Sequence, residues 1–341
     1  MIDMALPNGQ RHRKHFDTKA EADEAHHKMK IRIHAGTWAL KEPKMITFAD
    51  LAPMYIVYCA LNKSKSTVKS DECRINLHLK EYFGEMFLTE ITVDMVEAYK
   101  GKRAGEIYER TGKKTSAKSI NHDLSLLQSM MKFALERDYV RYNVVTRIRK
   151  MRLEKNPRRF LRTWEVDKLL RAAEGSHIHA LLETAVATGM RKSELFNLEW
   201  TDIDFEQGDI TVQNKADWHT KNRKSRTLAL TPRLKRVLIM HGSEQKSKGF
   251  DCKYVFTYKG RKLQSSIKRS LKTVLRKAGL EGVTLHTCRH TFASQLCMAG
   301  VPLREVQELM GHASYETTLQ YAHLSKDHVK KQVLRLPFAD E

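Results

Sequence analysis

The stretch VTLHTCRHTFAS, residues 283–294, sets His286, Arg289 and His290 within five positions, with Cys288 among them. Three readings compete: a metal site, the polar start of an ordinary helix, or one wall of a phosphate-binding pocket. On a helix, His286 and His290 share a face while Cys288 points elsewhere. No second His or Cys cluster with zinc-ligand spacing completes a four-ligand set, and no Cys-x-x-Cys pair occurs. The metal reading is therefore the poorest of the three, and residues elsewhere must separate the other two.

The chain has 341 residues, long enough for two or three domains with their own cores. Lys and Arg total 61 against 40 Asp and Glu, a formal net charge of +21. Such an excess concentrates polyanions at the surface, which points to nucleic acid or an anionic membrane. No stretch approaches the roughly twenty apolar residues that a membrane span needs. The opening MIDMALPNGQRHRK lacks the apolar core of a signal peptide. Five cysteines, odd in number and scattered, fit a reducing compartment. The expected setting is a reducing cytoplasm, with nucleic acid as partner and no membrane.

Along the chain, IDMAL and RHRKHF flank the Asn-Gly turn signal of PNGQ and predict a β-hairpin. Two-residue alternation puts Arg11, Arg13 and His15 on one face of its second strand. A helix then runs from a Thr18 cap to Gly36, and TWALKEPK reads as a linker. From Ile46 to about Tyr142 the pattern is helical throughout. In TFADLAPMYIVYCAL the predicted apolar face is Phe48, Leu51, Met54, Tyr55 and Tyr58. STVKSDECRINLHLKEYFG and TVDMVEAYKGKRAG follow as helices, and YERTGKKTSAKS as a polar loop. The long segment 119–138 has the apolar set Ile120, Leu124, Leu127, Met131 and Leu135. These four amphipathic helices predict a compact bundle. RIRKMRLEKNPRRF is a basic linker suited to a phosphate backbone. Beyond it, helices at 163–174 and 177–188 lead to the strand-like pieces DIDF, DITVQ and SRTLAL. Helix PRLKRVLIM, strand KYVFTY, helix SSIKRSLKTVLRKAG and the quoted stretch complete a mixed pattern.

Taken singly, the candidate site residues are ordinary. Arg191 opens a helix after ATG, where its planar fork can face an anion beside free N–H groups or form a surface ion pair. Glu194, one turn on, buttresses Arg191 or complements the helix dipole. Lys221 sits between two strand signals, with Lys215, Arg223 and Lys224 nearby, and is either a solvated turn lysine or a proton donor reaching into a groove. In the phosphate reading His286 and Arg289 face the anion, and His290 packs or hydrogen-bonds behind them. His312 follows the expected helix 302–310 and its Gly311 cap, free to project. Tyr321 comes nine residues later, and most tyrosines pack as core or rim residues.

Together these pieces carry a resemblance. TGMRKSEL, KNRKSRTLAL, LHTCRHTFAS and LMGHASYETTLQYAH stand in the order and spacing of the tyrosine recombinases, the phage-integrase family, across the C-terminal half of the chain. The helical segment resembles that family's core-site DNA-binding domain, and the opening hairpin and helix resemble the arm-site domain of some integrases. The resemblance implies a multidomain α+β fold. A hairpin-plus-helix arm module at 1–40 and a helical core-binding bundle at 46–148 precede a mainly α-helical mixed catalytic domain with a small antiparallel sheet at 158–341.

It further implies that Tyr321 is the nucleophile, with Arg191, Lys221, His286, Arg289 and His312 around one scissile phosphate. The chemistry agrees. Two guanidiniums grip the oxygens on which charge builds, and a phenol of pKa about 10 needs a proton acceptor, for which a histidine is the natural group. Lys221 protonates the leaving 5′ oxygen, and the phosphotyrosine link stores the bond energy, so neither ATP, metal nor other cofactor is expected. The implied partners are double-stranded DNA recombination sites, a homotetramer exchanging strands through a Holliday junction, and accessory factors for DNA bending or directionality. The rivals are a type IB topoisomerase and a DNA-binding protein with no catalytic step. The tail SKDHVKKQVLRLPFADE, with an apolar stripe at Val329, Val333, Leu334, Leu336 and Phe338, is of the kind that family members often pass to a neighbouring protomer.

Overall fold

The computed structural model describes all residues except 8–9, 37–43, 110, 155–157, 221–223, 264–266 and 326–341. The chain divides into two compact units, Met1–Lys155 and Asn156–Glu341. It is rich in helix, with small antiparallel sheets.

In the first unit β1 (Ile2–Ala5) and β2 (Arg11–Lys14) pair antiparallel, with Ile2 opposite Lys14 and Ala5 opposite Arg11. Arg11 and Arg13 share a face, as the alternation requires, and both bind Asp3, at 2.9 and 3.1 Å. Helix α1 (Lys19–His34) starts on the Thr18 hydroxyl, which accepts from the Glu21 N–H. The next helix, α2 (Phe48–Asn62), begins with a reciprocal cap between Thr47 and Asp50, a contact typically stabilising by about 1 kcal/mol. Its buried face is Phe48, Leu51, Ala52, Tyr55 and Cys59. Met54 and Tyr58, assigned to that face from the sequence, are 39% and 36% exposed. The buried stripe runs instead through Ala52 and Cys59, 2% and 1% exposed.

Helix α3 (Lys65–Arg74) continues through a π-helical turn at Ile75–Leu79 into α4 (Lys80–Phe83). Ile75, Leu79 and Phe83 are all fully buried along this run. After α5 (Val93–Gly105), the expected polar loop carries a two-residue hairpin, β3 (Ile107–Tyr108) with β4 (Lys113–Lys114). Helix α6 (Ala117–Leu135) buries Ile120, Leu124, Leu127 and Met131, whereas Leu135, at its last position, is 37% exposed. Asp123 on α6 is fully buried and receives Arg74 at 2.5 Å and Arg103 at 3.2 Å. Removing one member of so buried a set typically costs about 3–5 kcal/mol. The basic linker is fastened at Met151, whose N–H and C=O both meet the Asn121 amide at 2.8 Å.

In the second unit α7 (Thr163–Ala173) and α8 (His179–Thr188) lead through the short α9 (Lys192–Phe196) to a three-stranded antiparallel sheet. Its strands β5 (Ile203–Asp204), β6 (Asp209–Val212) and β7 (Arg226–Ala229) lie in chain order, with Ile210 opposite Leu228. Helix α10 (Pro232–Ser247) runs well past the predicted PRLKRVLIM. KYVFTY gives only β8 (Thr257–Tyr258), paired with β9 (Arg261–Lys262), plus one bridge from Tyr254 to Glu199. Helices α11 (Lys268–Ala278), α12 (Leu285–Met298), α13 (Leu303–Met310) and α14 (Glu316–Leu319) follow. Helix α12 packs along α8. That packing brings the quoted stretch against the turn that carries Arg191. Lys221 and the tail 326–341 lie outside the described residues.

Candidate active site

The site is built on two left-handed glycine turns. Gly189 ends α8 with φ +60°, and a Cβ there would stand 2.5 Å from the Phe292 ring, so glycine is needed for both conformation and space. The turn sets Arg191 at the cap of α9. Its backbone N–H and its guanidinium each donate to Glu194, both at 2.8 Å. Glu194 is thus the buttress of Arg191. It also accepts two bonds from Arg226, at 3.1 and 2.6 Å. Burial pushes the Glu194 carboxyl up, but Arg226 and Arg191 outweigh it and hold it at about 2.

The second turn ends α13 at Gly311, also at φ +60°, where a Cβ would meet the Arg226 guanidinium at 3.0 Å. Three arginines hold the carbonyls at this helix end. Arg226 donates to Leu309 at 2.9 Å, Arg289 to Met310 at 2.6 Å and Arg191 to Gly311 at 2.7 Å. Cations at a helix C-terminus satisfy its orphan acceptors and complement its dipole. Arg289, buried on α12, spans the two turns, because its other terminal nitrogen donates to Gly189 at 2.7 Å. Burial first, then Arg191, lowers its pKa to about 9, so it keeps its charge at neutral pH.

His312 emerges directly from the Gly311 turn. Its Nδ1 lies 2.8 Å from the Thr318 hydroxyl. Burial, Arg289 and Arg191 push it down to about 3, so the ring is neutral. Tyr321 packs in a small core with Ala293, Cys297, Val306 and Met310. Its hydroxyl lies 2.5 Å from His290 Nδ1. Burial raises the phenol to about 12, against the pull of Arg289 and Arg158. His286 is exposed and stands edge-on to His290, with ring centroids 4.3 Å apart. Partial desolvation and the charges of Arg289, Arg158 and Arg191 lower its pKa. Cys288 is fully buried, away from this face.

The structure therefore gathers Arg191, His286, Arg289, His312 and Tyr321 around one basic wall. Lys221 lies outside the described residues, but one neighbour can be set aside. Lys215 Nζ is bound by Asp202 at 2.6 Å, Asn197 O at 2.8 Å and Glu199 at 3.3 Å, and anchors the base of the hairpin. Arg226, Arg158 and Thr318 were not singled out from the sequence. The lone arginine of the apolar strand RTLA was the one available signal for Arg226.

The histidines make the site acid-sensitive. His290, at about 4, and His312, at about 3, both lie below the unfolded value of 6.5. The unfolded chain therefore binds more protons between about 4 and 6.5, and stability falls as pH drops through that window. Glu194 adds a loss of the same sign between 4.5 and about 2. The melting transition of the second unit is expected to fall from pH 6.5 to pH 4, and to fall less in His312→Asn. A flat melting temperature across this range would contradict the two buried neutral rings.

Comparison with known proteins identifies the family and the fold. Residues 159–328 match the family described as the phage integrase family. The integrase of Salmonella phage P22 is 29% identical over 371 residues, covering 97% of this chain and 90% of that protein. Tyrosine recombinase XerC of Oceanobacillus iheyensis is 31% identical over 233 residues, covering 64% of this chain and 74% of the relative. Among solved structures, a lambda integrase tetramer bound to a Holliday junction has the same fold, with a TM-score of 0.66 at 20% identity over 94% of this chain and 91% of that one. The chain belongs to the phage integrase family of tyrosine recombinases, enzymes that cleave and rejoin DNA. Among the described residues no helix is long and apolar enough to cross a membrane.

Proposed function

We propose that the chain is a site-specific integrase in which Tyr321 attacks one phosphodiester of duplex DNA and forms a 3′-phosphotyrosine link. Arg191 and Arg289 hold the non-bridging oxygens of that phosphate, His286 and His312 complete the pocket, and Lys221 protonates the leaving 5′ oxygen. The carrying observation is that Arg191 and Arg289, from two separate motifs, both bind carbonyls of the turn that delivers His312. Preorganised donors of this kind stabilise the charge that develops in phosphoryl transfer without reorganising during the reaction. Among the described residues, four guanidiniums, of Arg158, Arg191, Arg226 and Arg289, stand against one buried carboxylate, that of Glu194, an excess of positive charge.

Residues 1–40 are assigned to arm sites, 46–148 to the core site and 158–341 to catalysis. Four protomers exchange strands in pairs through a Holliday junction, as the lambda integrase tetramer on such a junction suggests, and integrate or excise a mobile element, with accessory factors setting bend and direction. A nicked duplex built from the DNA flanking the gene tests the reading. Covalent trapping identifies the strand transferase, and recombination of two such sites separates it from a topoisomerase. Intact binding with neither outcome leaves a regulatory DNA-binding protein.

The reading also makes chelators ineffective. Among the described residues the acid of the pocket is Glu194, which is already taken by two arginines and is not offered to a hard cation. EDTA is expected to leave strand exchange intact. Activity lost in EDTA and restored by one specific cation would contradict this, whereas weaker binding in altered salt would not.

A further inference from the structure

His290 touches the nucleophile, and its second nitrogen has a partner that fixes which proton it carries. Its Nε2 lies 3.2 Å from an Arg158 guanidinium nitrogen, and its Nδ1 lies 2.5 Å from the Tyr321 oxygen. A guanidinium has donors and no acceptor. A hydrogen bond between Arg158 and Nε2 therefore requires a lone pair on Nε2. In a neutral imidazole the single proton then sits on Nδ1, and Nδ1–H must donate to Tyr321 Oη. We infer that His290 is a catalytic hydrogen-bond donor to the nucleophile rather than its base, and that Arg158 is the positioning residue that holds the donor tautomer.

The surroundings keep the ring neutral. Burial comes first, and the charged or titratable groups facing it are Arg158 from the segment before α7, His286 and Arg289 on its own helix, and His312 after α13. Burial first, then His286, Arg158 and Arg289, pushes His290 down to about 4. Protonation would place a second N–H against the Arg158 guanidinium and break that contact. The ring thus cannot accept the proton of Tyr321 while Arg158 is in place.

This inference rests on the proposed function and refines its proton path. As the bond from Tyr321 Oη to phosphorus forms and the bond from phosphorus to the 5′ oxygen breaks, the phenol proton must go to a base other than His290. The proposed site gives that role to His286, whose exposed ring stands edge-on to His290 with centroids 4.3 Å apart. The 5′ oxygen takes its proton from Lys221. The Nδ1–H bond strengthens as charge grows on Oη, and it stabilises the tyrosinate again when religation expels it. Such a donor is of most use to a phenol that burial holds near 12. A histidine that only packed behind the arginines would have no preferred tautomer.

The test uses the full-length chain with 15N-labelled histidine at neutral pH. The His290 signals are those missing from His290→Asn. The expected pattern is the Nδ1–H tautomer, the minor form of free imidazole, with a shift toward Nε2–H in Arg158→Leu. An Nε2–H ring in the unmodified chain overturns the proposal, with no need for a variant to fold. The second measurement is the rate of adduct formation on a nicked duplex from the DNA flanking the gene. His290→Leu is expected to be about tenfold slower or more, the loss of a hydrogen bond to a charged atom. His290→Asn should recover most of that rate, because its amide N–H falls near the Nδ1 position. A leucine variant as fast as the parent, or an asparagine variant no faster than leucine, overturns the donor role. An adduct formed by Tyr321→Phe would instead overturn the underlying reading, whatever the tautomer of His290.

Discussion

Tyr321→Phe abolishes the covalent protein–DNA adduct and leaves DNA binding unchanged. The substitution removes one oxygen from a ring that is 3% exposed and packed against Ala293, Cys297, Val306 and Met310. Phenylalanine keeps that packing, so the small core under α12 and α13 retains its shape. What is lost is the oxygen that bonds to phosphorus, and among the described residues the nearby Thr318 hydroxyl does not replace it. Thr318 is engaged with His312 at 2.8 Å. The hydroxyl also pairs with buried His290, so the variant leaves one imidazole nitrogen unpartnered. That costs about 1–3 kcal/mol and lowers the melting temperature modestly. The two effects separate cleanly: a denaturing gel reads the adduct, a gel shift reads binding and a melt reads the unpaired nitrogen. An adduct from the variant would remove Tyr321 from its role.

The features that were legible in the sequence are those set by local chemistry. The Thr18 cap and the Gly311 turn after α13 fix helix ends through contacts a few residues long, whereas Ser116, read as part of the polar loop, caps α6 before its expected start at 119. The strands DIDF, DITVQ and SRTLAL were readable for the same reason. The buried face of α2 was misread because Met54 and Tyr58 are apolar at helical spacing, yet the buried stripe runs through Ala52 and Cys59. In the site, residue types and order pointed to Arg191, His286, Arg289, His312 and Tyr321. Their support was not readable. Arg226 reaches Leu309 across 83 positions, Arg289 reaches Gly189 across 100, and Arg158 reaches His290 across 132. Such contacts depend on how α12 packs on α8 and where α13 ends, which no local pattern encodes. Glu194 was left open between buttress and dipole partner, and its two bonds from Arg191 decided it.

Arg289→Lys is expected to slow adduct formation by roughly 10²-fold or more, the scale of losing a preorganised donor to developing charge. Charge conservation does not protect this position, for two reasons. First, the guanidinium bridges Gly189 O at 2.7 Å and Met310 O at 2.6 Å, joining the two turns that set Arg191 and His312. One ammonium on a flexible stem cannot span both carbonyls in the planar geometry of the fork, so the turns lose their common tie. Second, burial and the adjacent Arg191 already draw the Arg289 pKa down to about 9. A lysine starts near 10.4 and meets the same burial and the same neighbour, so part of its charge is lost near neutral pH. Arg191→Lys should also be slow by about 10²-fold, since it breaks the bridge from Glu194 to Gly311, but its side chain is 22% exposed against 2% for Arg289. The pair therefore differs in pH dependence. Lowering the pH recharges the lysine at 289 and recovers part of the rate relative to the parent, while the variant at 191 gains nothing. Adduct rates on a nicked duplex between pH 6.5 and pH 9 read this difference. Near-normal cleavage by either variant puts that arginine outside the pocket. Parallel pH profiles would mean that burial does not govern position 289, and that only the lost bridge does.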